Sequence, residues 1–318
     1  PSAKLEKDIS KFNNIQMARK IQLNSAYGAI GNQYFRYYNL KNAEAITYGG
    51  QFSIRWIENK MNVYLNKVLK TKGEDYVIAS DTDSIYLNMG PLVNTVYEGR
   101  EKTDESIVRF LDKICQVELE PYIESSYKEL AEYVSAYDQK MIMKRENIAS
   151  SGIWTAKKRY MLNVWDSEGV RYNKPKLKMM GIEAVKSSTP APCRTAIKDA
   201  INIMMNGTEK DLLSFIDTFK DEFNSLPPED IAFPRSVNGL RKFKASGTVY
   251  TKGTPLHVRG TLLYNFYIAK NKLQYKYPLV QEGEKIKYIY LRRPNKINNE
   301  NVISFLNTFP RELGVEGQ

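Results

Sequence analysis

The chain has 318 residues, 42% hydrophobic and 12% aromatic, enough apolar material to bury a core and to exclude a disordered chain. With 47 Lys and Arg against 36 Asp and Glu it carries a net charge of +11, and Cys115, Cys193 and His257 are its only cysteines and histidine, which excludes a disulfide framework and a multi-histidine metal centre within the chain. There is no signal-peptide core and no apolar run near the roughly 20 residues that span a bilayer, so the sequence predicts a protein of a reducing cytoplasm without membrane contact. Pro1 in place of Met predicts a chain cut from something longer.

Lys11 to about Gly28 lacks Pro and Gly ahead of its end and predicts a helix that stops near Gly28 to Gly31. The aromatic stretch Tyr34 to Asn39 predicts an extended or turn segment. Ile54, Ile57, Met61, Tyr64, Leu65 and Val68 recur at helical spacing and predict a second helix whose stripe belongs to the core. From Asp75 to Asn88 two short apolar runs flank the acidic tip Ser80-Asp81-Thr82-Asp83-Ser84, the pattern of a β-hairpin. Ile107 to about Val134 reads as helix, and the region around Lys157 to Trp165 as strand. After Pro190 and Pro192 the pattern turns helical: one helix stops at Asn206-Gly207, and the next is capped by Thr208 and carries Leu212, Phe215, Ile216 and Phe219. A boundary is expected near 188–192. The two cysteines are expected to be small buried hydrophobes.

Charge is not spread evenly. Residues 1–150 hold 20 basic and 20 acidic side chains, whereas residues 151–318 hold 27 and 16, so the whole excess lies in the second half. Ile231 to Gln281 contains no Asp or Glu but nine Lys and Arg, with aromatics among them. Such a surface attracts a polyanion, and phosphate contacts need only positive charge and donors. The plainer reading is a solvated basic face.

Three clusters offer chemistry. On extended backbone residues i and i+2 point the same way, so Asp81 and Asp83 are expected to share a face, where two carboxylates favour a hard cation such as Mg²⁺. The plainer alternative is an Asx-rich turn that satisfies its own backbone. Lys20, Asn24 and Tyr27 lie four and three residues apart on one helix stripe, with Gly28 leaving room for a bulky group to approach; a solvated helix face is the alternative. Lys157-Lys158-Arg159-Tyr160 sits in a segment free of acids from Asn147 to Trp165. Read as strand, Lys158 and Tyr160 share one face, suited to a phosphate or sugar edge of a duplex, or simply blunt an edge strand. His257 beside Arg259 reads as a packed or hydrogen-bonded histidine, not a metal ligand.

Taken together and in this order, these clusters resemble the motifs of the B-family DNA polymerases, in particular those of T-even-like bacteriophages. Lys20-Ile-Gln-Leu-Asn24-Ser25-Ala-Tyr27-Gly28 looks like the fingers motif, Asp81-Thr82-Asp83-Ser84 like the palm metal motif, and Lys157-Lys158-Arg159-Tyr160 like the duplex-binding motif. Phe35-Arg36-Tyr37-Tyr38, Lys186-Ser187-Ser188-Thr189-Pro190 and His257-Val258-Arg259-Gly260 also resemble the phage enzymes. The resemblance implies an α+β fold. Residues 1–30 would be the last fingers helix, 31–190 a partial palm of antiparallel sheet with helices, and 191–318 a mainly helical, basic and shortened thumb.

It further implies that Lys20 meets the incoming triphosphate and protonates the departing pyrophosphate, and that Asn24, Tyr27 and Gly28 line the nascent base pair. Asp81 and Asp83 would hold Mg²⁺, with Thr82 near the primer end. Lys157, Lys158, Arg159, Tyr160, His257 and Arg259 would contact DNA. The implied partners are primer–template DNA, a deoxynucleoside triphosphate, an amino-terminal polymerase portion with the exonuclease and, in the full-length enzyme, a sliding clamp. Two departures stand out. Ser80 replaces the family's glycine before the first Asp, and the family's other palm motif, Asp-x-x-Ser-Leu-Tyr-Pro-Ser, does not occur. The chain is therefore expected to supply only part of a two-metal site and to be inactive alone. The alternative reading is a duplex-binding module without chemistry.

Overall fold

The structure, a computed structural model, describes residues 2–245 and 247–317. It is α+β, as the sequence predicts, and divides into two units, residues 2–148 with 166–170 and residues 149–165 with 171–317. Among the described residues no helix is long and apolar enough to cross a membrane.

The first unit opens with α1 (Ser2–Ile30), which starts earlier than its sequence signal and stops at Ile30, beside the glycine expected to end it. No residue of α1 is buried, because its apolar side chains are scattered around the helix instead of gathered in a stripe. A turn-rich stretch over 31–39 leads to α2 (Leu40–Leu69), whose N-cap Asn39 accepts from the Asn42 N–H at 3.0 Å. The predicted stripe holds at its centre: Ile57, Met61 and Leu65 are fully buried, each worth about 1.5–3 kcal/mol of transfer free energy, whereas Val68 at the helix end is exposed.

The hairpin of β1 (Val77–Asp81) and β2 (Ser84–Leu87) follows, then the short α3 (Gly90–Val96). Next, α4 (Asp104–Ile114) enters through a Thr103–Ser106 capping box and runs by a π-helical turn, Cys115–Leu119, into α5 (Glu120–Tyr133). Pro121 lies in the first turn of α5; it lacks an N–H and its ring crowds the carbonyl four residues back, so the helix widens there. One core joins Ile57 and Met61 of α2, Val77 of β1 and Ile123, Tyr127 and Leu130 of α5. Arg145 donates to Asp112 at 2.6 Å and to the buried Asp166, while its backbone N–H reaches Glu120 at 3.0 Å.

The second unit holds most of a three-stranded sheet in the order β3 (Asn147–Ala156), β4 (Arg159–Ser167), β5 (Val170–Met180). Two-residue turns join the strands, which therefore run antiparallel. α6 (Ala191–Asn206) packs Ile197, Ile201 and Met205 onto Met161, Leu177 and Met179 of this sheet. It ends at Gly207, and α7 (Glu209–Ser225) begins with the predicted Thr208 cap, paired with Asp211 in a capping box.

Beyond α7 strands join the helices. α8 (Pro228–Ile231), β6 (Phe233–Ser236), α9 (Leu240–Phe243), α10 (Leu256–Lys270), β7 (Lys285–Tyr290) and β8 (Val302–Phe305) build a body in which the antiparallel sheet β6-β7-β8 packs against α10. All four residues of β8 are buried, and Lys-Ile-Lys-Tyr-Ile-Tyr of β7 pairs on both sides, so β propensity and burial favour strands here. Gly260 lets α10 approach β8: a Cβ there would stand 2.7 Å from Ser304 Oγ and 3.0 Å from its backbone nitrogen.

The cysteines differ from expectation in degree. Both are half-buried, and burial pushes the Cys115 thiol up to about 11.

Candidate functional site

The acidic tip is held from below by α2. Asn62 accepts the Tyr76 N–H through Oδ1 at 2.8 Å and donates through Nδ2 to Asp75 at 2.8 Å. One turn on, Asn66 donates to the Glu74 carbonyl at 2.7 Å and accepts the Glu74 N–H at 3.1 Å, while Thr71 bonds both Asn66 (2.9 Å) and the Tyr76 hydroxyl (2.8 Å). These bonds fix the chain just ahead of β1, and Val77 and Ile85 pack the hairpin onto the α2–α5 core. Sequence reasoning missed the asparagine pair; the signal was its spacing of four, which places both amides on one side of α2 facing the returning loop.

At the tip, Ser80 pairs with Ile85 and Asp81 with Ser84, leaving Thr82 and Asp83 as the connection. Thr82 has φ 53°, and the Asp83 N–H donates to the Asp81 carbonyl at 2.6 Å, a three-residue turn of the rare positive-φ kind. Thr82 Oγ1 donates to Asp81 Oδ1 at 3.0 Å and Ser84 Oγ to the Asp81 carbonyl at 3.2 Å. This corrects the expectation of an extended Asp81-Thr82-Asp83: the backbone reverses at Thr82, so strand alternation does not relate the two carboxylates. Both remain on one hairpin tip, Asp83 exposed and Asp81 half-exposed. Burial raises the phenol of Tyr127 on α5, and the negative charge of Asp83 raises it further.

Two carboxylates on one tip are the hard-oxygen donor type that suits Mg²⁺ or Mn²⁺. Among the described residues no group of three or more His, Cys, Asp or Glu side chains gathers in a way that could hold a metal ion. The donor type fits a divalent ion, which takes more oxygen ligands than two carboxylates supply.

Lys20, Asn24 and Tyr27 lie on one face of α1 and are all exposed. Tyr27 is not left open, since its hydroxyl shares a 2.6 Å hydrogen bond with Thr47 of α2. A Cβ at Gly28 would meet nothing within 4 Å, so the backbone there is approachable.

Lys157 and Lys158 are not on a strand. They form the β3–β4 turn, with Lys158 at φ 60°, and both are exposed. The expectation that Lys158 and Tyr160 share a strand face is thereby corrected. The turn is fixed by close packing, because a Cβ on Gly181 would stand 2.3 Å from the Lys158 carbonyl oxygen. Arg159 forms a bidentate pair with Glu183 at 2.8 and 2.6 Å, which holds that carboxyl down at about 2. Tyr160 is 6% exposed, with its ring beside Trp154, so it packs within the sheet.

His257 and Arg259 sit in the first turn of α10. The His257 carbonyl accepts from Thr261 at 2.8 Å and Ser304 at 2.9 Å, and burial, then the nearby Arg235 charge, lowers the imidazole pKa. Arg259 bonds Asn301 and lies over the Tyr250 ring at 5.6 Å. Of the other cations between Ile231 and Gln281, Lys276 pairs with Glu312. Arg235, Arg241, Lys242, Lys244, Lys252, Lys270 and Lys272 are exposed and have no acidic partner among the described residues.

Residues 2–121 match the family model described as DNA polymerase family B. The chain is 42% identical over 293 residues to a DNA-directed DNA polymerase of Escherichia phage RB69, a match covering 90% of this chain and 32% of that protein. It is 36% identical over 303 residues to a DNA-directed DNA polymerase of Enterobacteria phage T4, covering 93% and 33% respectively. The chain thus spans about a third of the length of the relatives it matches. By the family match residues 2–121 belong to DNA polymerase family B, and the similarity to the two phage polymerases runs along nine-tenths of the chain.

Proposed function

We propose that the chain contributes to template-directed DNA synthesis, carrying part of the nucleotidyl-transfer site and much of the grip on duplex DNA of a phage-type DNA polymerase. The observation that carries this reading is the Asp81-Thr82-Asp83 hairpin, clasped by Asn62 and Asn66, in a chain similar to two phage polymerases over nine-tenths of its length. In this reading residues 1–30 are the last fingers helix, 31–190 palm and 191–318 thumb. The complete enzyme works in the cytoplasm of a bacterial host.

Asp81 and Asp83 would hold Mg²⁺. When bound, the metal supplies charge neutralisation at the phosphate oxygens and favours the ionised primer 3′-hydroxyl. The chain's own side chains orient and neutralise. Lys20 on the open face of α1 meets the triphosphate and donates a proton to the departing pyrophosphate, and Asn24, Tyr27 and Gly28 border the new base pair. Thr82 stands near the primer end. Lys157 and Lys158 reach the duplex backbone from their turn, and the unpaired cations of 231–281 extend that grip. Arg159, Tyr160, His257 and Arg259 serve DNA by holding this surface in shape. An amino-terminal portion supplies the other palm carboxylate and the exonuclease, and the full-length enzyme engages a sliding clamp.

Primer extension with Mg²⁺ and the four deoxynucleotides, by the chain alone and mixed with an amino-terminal polymerase portion, tests this. Extension only on mixing is expected. DNA binding with no extension on mixing would instead support the duplex-binding module.

A further inference from the structure

The part of the β3-β4-β5 sheet that lies in the second unit, residues 149–165 and 171–180, contains no Asp or Glu and seven Lys and Arg. Three of these form the Lys157-Lys158-Arg159 run. The others lie on β5, where Lys174, Lys176 and Lys178 alternate with Pro175, Leu177 and Met179. Leu177 and Met179 pack into the core under α6, so alternation places the three lysines, with Tyr172, on the opposite face. Lys176 Nζ lies 4.0 Å from the centre of the Tyr172 ring, which holds it in place without neutralising it. Lys174 and Lys176 are exposed and have no acidic partner among the described residues.

Same-face residues on a strand are spaced by about 6.6 Å, two rises of about 3.3 Å, so this is a straight row of positive charge. Lysines also blunt sheet edges against aggregation, but one or two suffice for that. On the part of the sheet in the second unit, which contains no carboxylate, Lys174 and Lys176 keep their mutual repulsion until an anion of matching extent arrives.

We infer that β5 is a second phosphate-binding rail, separate from the Lys157–Lys158 turn, along which Lys174 and Lys176 contact consecutive phosphates of one strand of a DNA duplex. This rests on the polymerase reading above, and it adds contacts that the duplex-binding motif does not include.

The test is the salt dependence of binding of the whole chain to a fluorescein-labelled DNA duplex with a single-stranded overhang. Each phosphate contact contributes about 0.9 to the slope of log affinity against log salt. The Lys174→Ala/Lys176→Ala variant is expected to lose about 1.8 from the slope of the unaltered chain, and Lys174→Arg/Lys176→Arg to keep it. An unchanged slope in the alanine variant, with the unaltered chain binding normally, overturns the rail and leaves the polymerase reading standing. No binding by the unaltered chain overturns both.

Discussion

Arg159 and Glu183 form a two-armed ion pair, Nη1 to Oε1 at 2.8 Å and Nη2 to Oε2 at 2.6 Å, and this pair removes one cation from a run of three that the sequence offers to DNA. A guanidinium with both arms on a carboxylate has little left for a phosphate. Lys157 and Lys158 stand at the exposed turn.

The consequence is a difference within one motif. Lys157→Ala and Lys158→Ala are each expected to flatten the salt slope of duplex binding by about 0.9, and Arg159→Ala to leave it unchanged. Fluorescence anisotropy over a salt series reads all three. Equal losses at Lys157 and Arg159 would show that Glu183 gives up its partner to DNA.

Acid should act through a few carboxylates. Glu183, bonded by Arg159, and Glu312, bonded by Lys276 and Tyr277, are both held down at about 2 from an ordinary 4.5. Because these pKa values are lowered by folding, the stabilisation is complete above about 4.5 and fades as pH falls from there towards 2. Carboxyl carbon shifts followed by NMR are expected to show both groups ionised at pH 3. Titration near 4.5 would mean that the pairs do not persist in solution.

The clasp under the hairpin should matter to folding. Asn62→Ala leaves the N–H of the buried Tyr76 without its acceptor, an expected cost of about 1–3 kcal/mol in urea unfolding. Asn14→Ala, on the exposed face of α1, is expected to stay within about 0.5 kcal/mol. Equal, small effects would show that the loop before β1 holds its place without α2.

The legible parts of this molecule are those where one face repeats. The Ile57-Met61-Leu65 stripe, the Thr208 cap and the β1–β2 hairpin can all be read from spacing and turn chemistry. What stays hidden depends on partners distant in sequence. Lys157-Lys158 carries no Gly or Asn to mark a turn, and Gly181, whose missing side chain leaves room for the Lys158 carbonyl, lies beyond β5. Arg159 looks free until Glu183 arrives from beyond β5. In β8, Val-Ile-Ser-Phe is buried throughout, so it lacks the alternation that marks a half-exposed strand. The aspartates of the tip are legible as a pair, but not the reversal at Thr82 that sets how they stand.

In the proposed function Asp81 and Asp83 serve the chemistry while other residues hold the DNA. Its most direct test is the Asp83→Ala chain, compared with the unaltered chain in primer extension with the amino-terminal portion and in duplex binding. Extension is expected to fall by several orders of magnitude while duplex affinity stays within a factor of about 2, since loss of a metal ligand removes charge stabilisation in the transition state and no phosphate contact. Extension that survives the substitution would contradict it.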